Sequence, residues 1–173
     1  MKIKCMEQVL AQVRANYQVF NEPPEGFDLS FQAAGCYCRY EDKILLLRRH
    51  PTRYDGNTWG VPGGKFEKGE TARQAVVREV LEEVGIDIDN SALLHVGTFY
   101  MRHPGVEYVF HTFYLQLDKQ PCVVLNLEEH VEARWVTLEE AWQLPLVRGG
   151  EECLMHCHQR IDLSAVKQNV PEI

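Results

Sequence analysis

No stretch of this 173-residue sequence approaches the roughly 18 to 20 consecutive apolar residues that a membrane-spanning helix needs. The N-terminus, MKIKCMEQVLAQVRANYQVF, mixes charged and apolar residues without a long apolar run. No signal peptide is read in it, so a cytoplasmic protein with no membrane partner is expected. Internal repeats and low-complexity segments are also missing, so neither a repeat array nor a biased, disordered chain is indicated. Basic residues are in deficit: 18 Lys and Arg stand against 25 Asp and Glu, for a formal charge of −7. That balance argues against a general nucleic-acid binder, which normally shows a basic face. It does not exclude a small phosphorylated substrate, because divalent cations can sit between carboxylates and polyphosphate. The six cysteines (Cys5, Cys36, Cys38, Cys122, Cys153 and Cys157) are scattered, and free, mostly buried thiols are expected rather than a disulfide framework.

What is present suits one compact domain with a small appended element: 45% hydrophobic and 25% charged residues, a soluble globular mix. Ile3, Met6, Val9, Leu10, Val13 and Phe20 recur at helical spacing and predict an amphipathic helix over 3–20. The breaker Asn21-Glu22-Pro23-Pro24-Glu25-Gly26 then links it to the main fold, dividing the chain into 1–26 and 27–173. Phe31–Tyr40 and Lys43–Arg49 read as two strands turning at Glu41-Asp42, and His50–Thr58 as a polar loop. Glu70–Val84 reads as a helix with Gly85 as its left-handed C-cap. Further strands are expected at Leu93–Met101, Val106–Leu117 and Ala133–Val136. Thr137 and Glu140 form a capping box for a short helix, and a last helix spans Gly150–Ile161. Strands mixed with two or three helices predict an α/β sandwich.

One segment carries chemistry. At about 100° per residue, Glu79, Glu82 and Glu83 fall within roughly a third of the helix circumference. Val76, Val77, Val80, Leu81 and Val84 are expected to form the stripe that packs on a sheet. Like charges at these spacings repel, and bound Mg²⁺ or Mn²⁺ would reverse that interaction. Arg78 stands beside the cluster and can pair with one of the glutamates. The glycine pair Gly63-Gly64 permits a tight excursion that brings a peptide carbonyl towards the same ions. An arbitrary E-x-x-E-E run is only a solvated acidic face, but here the fixed offsets to Gly64, Glu70, Arg78 and Gly85 overturn that reading.

Those offsets resemble the Nudix box, G-x5-E-x7-R-E-U-x-E-E-x-G-U, at every specified position from Gly64 to Ile86, with Val80 and Ile86 at the bulky apolar places. Trp59-Gly60-Val61-Pro62-Gly63-Gly64 resembles the usual approach to the box, and the strand order from about Phe31 to Pro145 is similar to the family's. The resemblance implies a MutT-like pyrophosphohydrolase: an α/β/α sandwich with a mixed sheet, here with an N-terminal helix added. It implies Mg²⁺, with Mn²⁺ as the alternative, bound by Glu79 and Glu83, with Glu82 as a further ligand or the base and the Gly63 carbonyl as an additional ligand. Gly64, Glu70 and Arg78 are implied supports.

The family often supplies another carboxylate from the loop before a Trp-containing strand. Glu129 is the candidate base there, with Glu128 and Glu132 as alternatives. Arg49, Arg53 and Lys65 flank the expected cleft and are candidates for substrate phosphates. Tyr54, Trp59, Tyr100 and Phe110 are available to stack on a base, although Phe110 and Trp59 are better suited to core packing. The implied substrate is a nucleoside diphosphate linked to another moiety, most simply a nucleoside triphosphate or small nucleotide conjugate. ADP-ribose, nucleotide sugars, dinucleoside polyphosphates and non-catalytic nucleotide binding are the alternatives. Cys153, His156, Cys157 and His158 superficially resemble a zinc cluster, but only Cys153 and Cys157 share a helix face. The N-terminal helix and the C-terminal segment are expected to dock on the domain or on a second subunit, which admits a homodimer.

Overall fold

The structure is a computed structural model that describes the backbone of residues 17–168 and the side chains of 17–160. Its centre is β2 (Leu29–Tyr40), which turns through Glu41, at φ 53°, into β3 (Lys43–Arg49). Along one edge β2 runs parallel to β7 (Val106–Leu117), itself paired antiparallel with β6 (Leu94–His103). The other edge is divided. Its last residues pair with β3, whereas Ala33–Gly35 pair with β5 (Gly63–Lys65). β3 continues the sheet through β4 (Trp59–Gly60) and β8 (His130–Thr137), giving a mixed sheet of eight strands among the described residues.

Strand alternation sorts the core into two layers. Ala34, Cys36, Cys38, Leu45 and Leu47 point to one face and are covered by α1 (Ala72–Val84) through Ala75, Val76, Val80 and Val84. Tyr37, Leu46, Phe99, Met101 and Val136 point to the other. There Cys153, Leu154 and Cys157 of α3 (Gly150–Gln168) and Ala141 of the short α2 (Leu138–Ala141) cover them. Helices on both faces of a mixed sheet make the α/β/α sandwich expected from the sequence. Both helix signals hold locally. Thr71 caps α1 in a capping box with Gln74, Thr137 caps α2 with Glu140, and Gly85 closes α1 at φ 69°.

The N-terminal element needs correction. The helix predicted over 3–20 lies mostly outside the described residues, but its last turn is a strand: β1 (Gln18–Phe20) pairs antiparallel with Tyr100–Arg102 of β6. Tyr17 and Val19 pack on the second core while Gln18 is exposed, a period of two that a long helical pattern concealed. Residues 18–20 therefore belong to the main sheet, and 21–26 join two strands of it. β8 also begins earlier than expected, at His130 instead of Ala133. Among the described residues no helix is long and apolar enough to cross a membrane.

Leu45 is fully buried between β3's neighbours and α1. Leu45→Ala should cost about 2–5 kcal/mol of unfolding free energy, read from urea denaturation; a smaller loss would mean that the α1 layer collapses into the cavity.

Candidate active site

α1 carries its three glutamates on a gradient of burial. Placing Glu83 at zero, the helical angle puts Val76 at roughly +20°, Glu79 at roughly −40° and Glu82 at roughly −100°. Side-chain exposure follows: 4% for Glu83, 15% for Glu79 and 54% for Glu82. Glu83 thus borders the core stripe, and Leu81, expected in that stripe, is exposed at its far side. The helix is rotated so that a carboxylate, not a leucine, is drawn under the sheet edge.

The burial of Glu83 is compensated by hydrogen bonds. Its Oε2 accepts from the Gly63 backbone N–H at 2.8 Å, and His130 Nε2 lies 2.7 Å from its Oε1. Gly63 itself tolerates no side chain: a Cβ would stand 2.2 Å from the Ala34 carbonyl oxygen of β2. At Gly64 a Cβ would stand 2.4 Å from the Glu79 carboxylate, so the bare backbone of β5 leaves space for that group. Arg78 binds the rest. Its guanidinium donates to both oxygens of Glu70 (2.8 and 3.0 Å), to Glu79 (2.9 Å), to Glu82 (3.0 Å) and to the Lys65 carbonyl (3.0 Å).

The charges respond accordingly. The fork of Arg78, helped by the Glu67 N–H, holds the Glu70 carboxyl at about 2. Burial raises that of Glu79 above its usual range, and Glu83 and Glu82 add to the rise while Arg78 offsets part of it.

A cleft of about 580 Å³ is lined by Gly63, Gly64 and Lys65 of β5 and by His130. Arg49 and Arg53 line it as well, so all three cations expected near substrate share it. Its walls are aromatic and apolar. Phe31 and Tyr108 stack at 4.8 Å, with Lys65 Nζ over Phe31, and Tyr37, Phe110 and Met101 lie along the same cleft. Trp59 is buried, and Tyr100 packs edge-on against Phe27 instead. It is also lined by Arg148, whose side chain pairs with Asp55 and lies 4.3 Å over the Tyr54 ring, and by His103, buried with no hydrogen-bond partner among the described residues on either ring nitrogen.

A family model for the Nudix domain matches residues 30–157, most of the chain. The chain belongs to the Nudix hydrolase family. It is 33% identical over 121 residues to the uncharacterized Nudix hydrolase YvcI of Bacillus subtilis (strain 168), covering 68% of this chain and 73% of that one. It is 34% identical over 108 residues to the CTP pyrophosphohydrolase of Escherichia coli (strain K12), covering 61% and 75%. The NUDIX domain of Shewanella oneidensis NrtR, solved as a complex with ADP ribose, matches with a TM-score of 0.67 at 19% identity over 87% of this chain and 97% of that one. That likeness speaks for the fold.

Nudix hydrolases generally use divalent metal ions. Among the described residues of this one, no three Asp, Glu, His or Cys side chains stand together at ion-binding spacing, because Arg78 draws Glu70, Glu79 and Glu82 to itself and His130 engages Glu83. The donor chemistry nonetheless fits a hard cation: these carboxylates outnumber their one guanidinium, and to the burial that raises the Glu79 carboxyl Glu83 and Glu82 add a like-charge contribution of the kind a divalent ion relieves.

Glu129 lies beside His130 on the loop that reaches this cluster. Its carboxylate is 3.9 Å from Arg53, and Glu132 pairs with Arg48 and Arg134. The contact with Glu83 is made by its neighbour His130, a residue that sequence reasoning passed over. Arg148 and Asp55, 93 positions apart, and His103 were also missed, since no spacing rule connects them. Cys153 and Cys157 are buried core thiols, and burial pushes the Cys157 thiol up to about 12.

Because the folded Glu70 carboxyl sits at about 2 against an ordinary 4.5, its stabilisation is complete above pH 4.5 and is lost as pH falls through about 2. Arg78→Lys removes the two-pronged contact. Carboxyl NMR should show the Glu70 midpoint moving from about 2 towards 4.5, and the stability gap between wild type and variant, from urea unfolding, should narrow as pH falls through that window.

Proposed function

We propose that this Nudix hydrolase is a Mg²⁺-dependent pyrophosphohydrolase. It cleaves a phosphoanhydride bond in a nucleoside triphosphate or a small nucleotide conjugate, acting in the cytoplasm on free small molecules. The single observation that carries this reading is the position of β5. Gly63–Lys65 touch the glutamates and Arg78 of the box, and the same residues line the cationic, aromatic-walled cleft. A diphosphate held at that junction meets carboxylates on one side and leaves its organic moiety in the cleft.

Glu79 and Glu83, with the Gly63 carbonyl, would hold the ion, and Glu82 is a further ligand or the base. When bound, the ion lowers the pKa of water and neutralises charge on the phosphoryl oxygens. The chain supplies the rest. Arg49, Arg53 and Lys65 bind phosphate oxygens, which fixes the phosphorus for in-line attack and converts a bimolecular encounter into a positioned one. Glu129, on the loop that also supplies His130, takes the water's proton if Glu82 does not. The stacked Phe31–Tyr108 pair gives the cleft an aromatic wall against which a base packs. Beside it, Arg148, Asp55 and His103, whose ring nitrogens have no hydrogen-bond partner among the described residues, offer donors and acceptors to a nucleobase. The CTP pyrophosphohydrolase relative supports a triphosphate substrate, and the ADP-ribose complex of the structural neighbour supports a conjugate.

Glu83→Gln should abolish Mg²⁺-dependent phosphate release across a screen of nucleotides, nucleotide sugars and dinucleoside polyphosphates while the circular dichroism spectrum stays native. Undiminished release would remove Glu83 from the mechanism. Gly64→Ala should shift stability by only about 1 kcal/mol or less yet lower turnover, since the methyl displaces the flexible end of Glu79.

A further inference from the structure

The contact between His130 and Glu83 is made by a deliberate irregularity in the sheet. In β8, Ala133 and Trp135 face the α1 layer, so strict alternation would turn the even-numbered His130 to the opposite face. The register between β3 and β8 shifts at this point: Arg48 is opposite Glu132, but Arg49 is opposite His130, leaving Val131 as the extra residue of a bulge. Bulges of this kind re-aim a side chain. Here the re-aimed ring reaches α1, and His130, 3% exposed, lies 2.7 Å from Glu83 Oε1.

The backbone reinforces the same link. Asn126 N–H donates to the Glu83 carbonyl at 2.9 Å, and the Asn126 carbonyl accepts from Glu129 and His130 at 3.3 and 3.0 Å. The loop carrying Glu129 is therefore stitched to the helix turn carrying Glu83, and the imidazole is the side-chain part of that joint. Glu83 Oε2 is meanwhile held by the Gly63 N–H, so the carboxylate is clamped at both oxygens with one lone pair left on each. His130 Nδ1 has no hydrogen-bond partner among the described residues, and there the ring has the single task of engaging Glu83.

We propose that His130 is a positioning residue: its Nε2–H fixes the Glu83 carboxylate in the orientation required to hold the divalent ion, and the β8 bulge exists to deliver that donor. The proposal rests on the reading of Glu83 as an ion-holding carboxylate. A hydrogen bond from a neighbouring group to a metal-binding side chain typically tightens ion binding by about 10- to 100-fold, because the ligand no longer has to be ordered when the ion arrives.

The test separates the donor from the bulk of the ring. A glutamine at 130 places its amide N–H where Nε2 stands, whereas an asparagine places it near Nδ1, out of reach of Glu83. Mn²⁺ affinity is measured on the full chain by electron paramagnetic resonance titration without nucleotide, alongside thermal unfolding. His130→Asn should weaken Mn²⁺ binding about 10- to 100-fold, and His130→Gln should restore it to near the wild-type value even where both variants lose thermal stability. Equal Mn²⁺ affinity in wild type and His130→Asn overturns the proposal. So does equal weakening in both variants, which would assign the ring a packing role only. A wild-type chain that binds no Mn²⁺ would refute instead the metal-dependent function on which the proposal rests.

Discussion

The crowding of like charge at one turn of backbone is the constraint on which the rest of this structure depends. Glu70, Glu79 and Glu82 share a single guanidinium, that of Arg78, and Glu83 is buried beside them with an imidazole and a peptide N–H as its partners. Each carboxylate gains a hydrogen bond, but burial raises the Glu79 carboxyl above its usual range and the like charges of Glu83 and Glu82 add to that rise. An arrangement of this kind is poor design for stability alone, since an apolar helix face would pack on the sheet at no electrostatic cost. It makes sense as a place held ready for further positive charge.

Several otherwise unrelated features follow from that constraint. β5 runs as bare glycine where it meets the cluster, because a side chain at 63 would strike β2 and one at 64 would strike Glu79. α1 is rolled so that Glu83 enters the core margin and Leu81 faces solvent. β8 is bulged at Val131, which delivers His130 to the buried carboxylate. The divided edge of β2 lets β5 touch both the carboxylates and the cleft, so the two meet along one three-residue strand.

Much of this was legible in the chain itself. The box offsets, the Thr137–Glu140 capping box, the Gly85 cap and the β2–β3 hairpin are local patterns, and local patterns are what periodicity and turn chemistry report. Arg49, Arg53 and Lys65 were picked out as cations flanking the box, and the fold gathers them into one cleft. What escaped depends on partners distant in sequence. Whether Leu81 or Glu83 turns inward is decided by what covers the helix, and both fit the same amphipathic wheel. A bulge has no composition of its own, so strict alternation gives His130 the wrong face. The Asp55–Arg148 pair exists only once loop 50–58 meets the approach to α3. β1 was masked by apolar residues that satisfy helical and alternating periods alike over so short a span.

The central claim is that this carboxylate cluster serves hydrolysis of a phosphoanhydride bond. The most direct measurement is mass spectrometry of the products formed from nucleotides in ¹⁸O-labelled water with Mg²⁺, and again with the metal chelated. The account predicts two phosphate-containing products, with the label on a phosphate oxygen of one of them, and no reaction after chelation. Label on the sugar moiety, turnover indifferent to chelation, or binding without any product would contradict it.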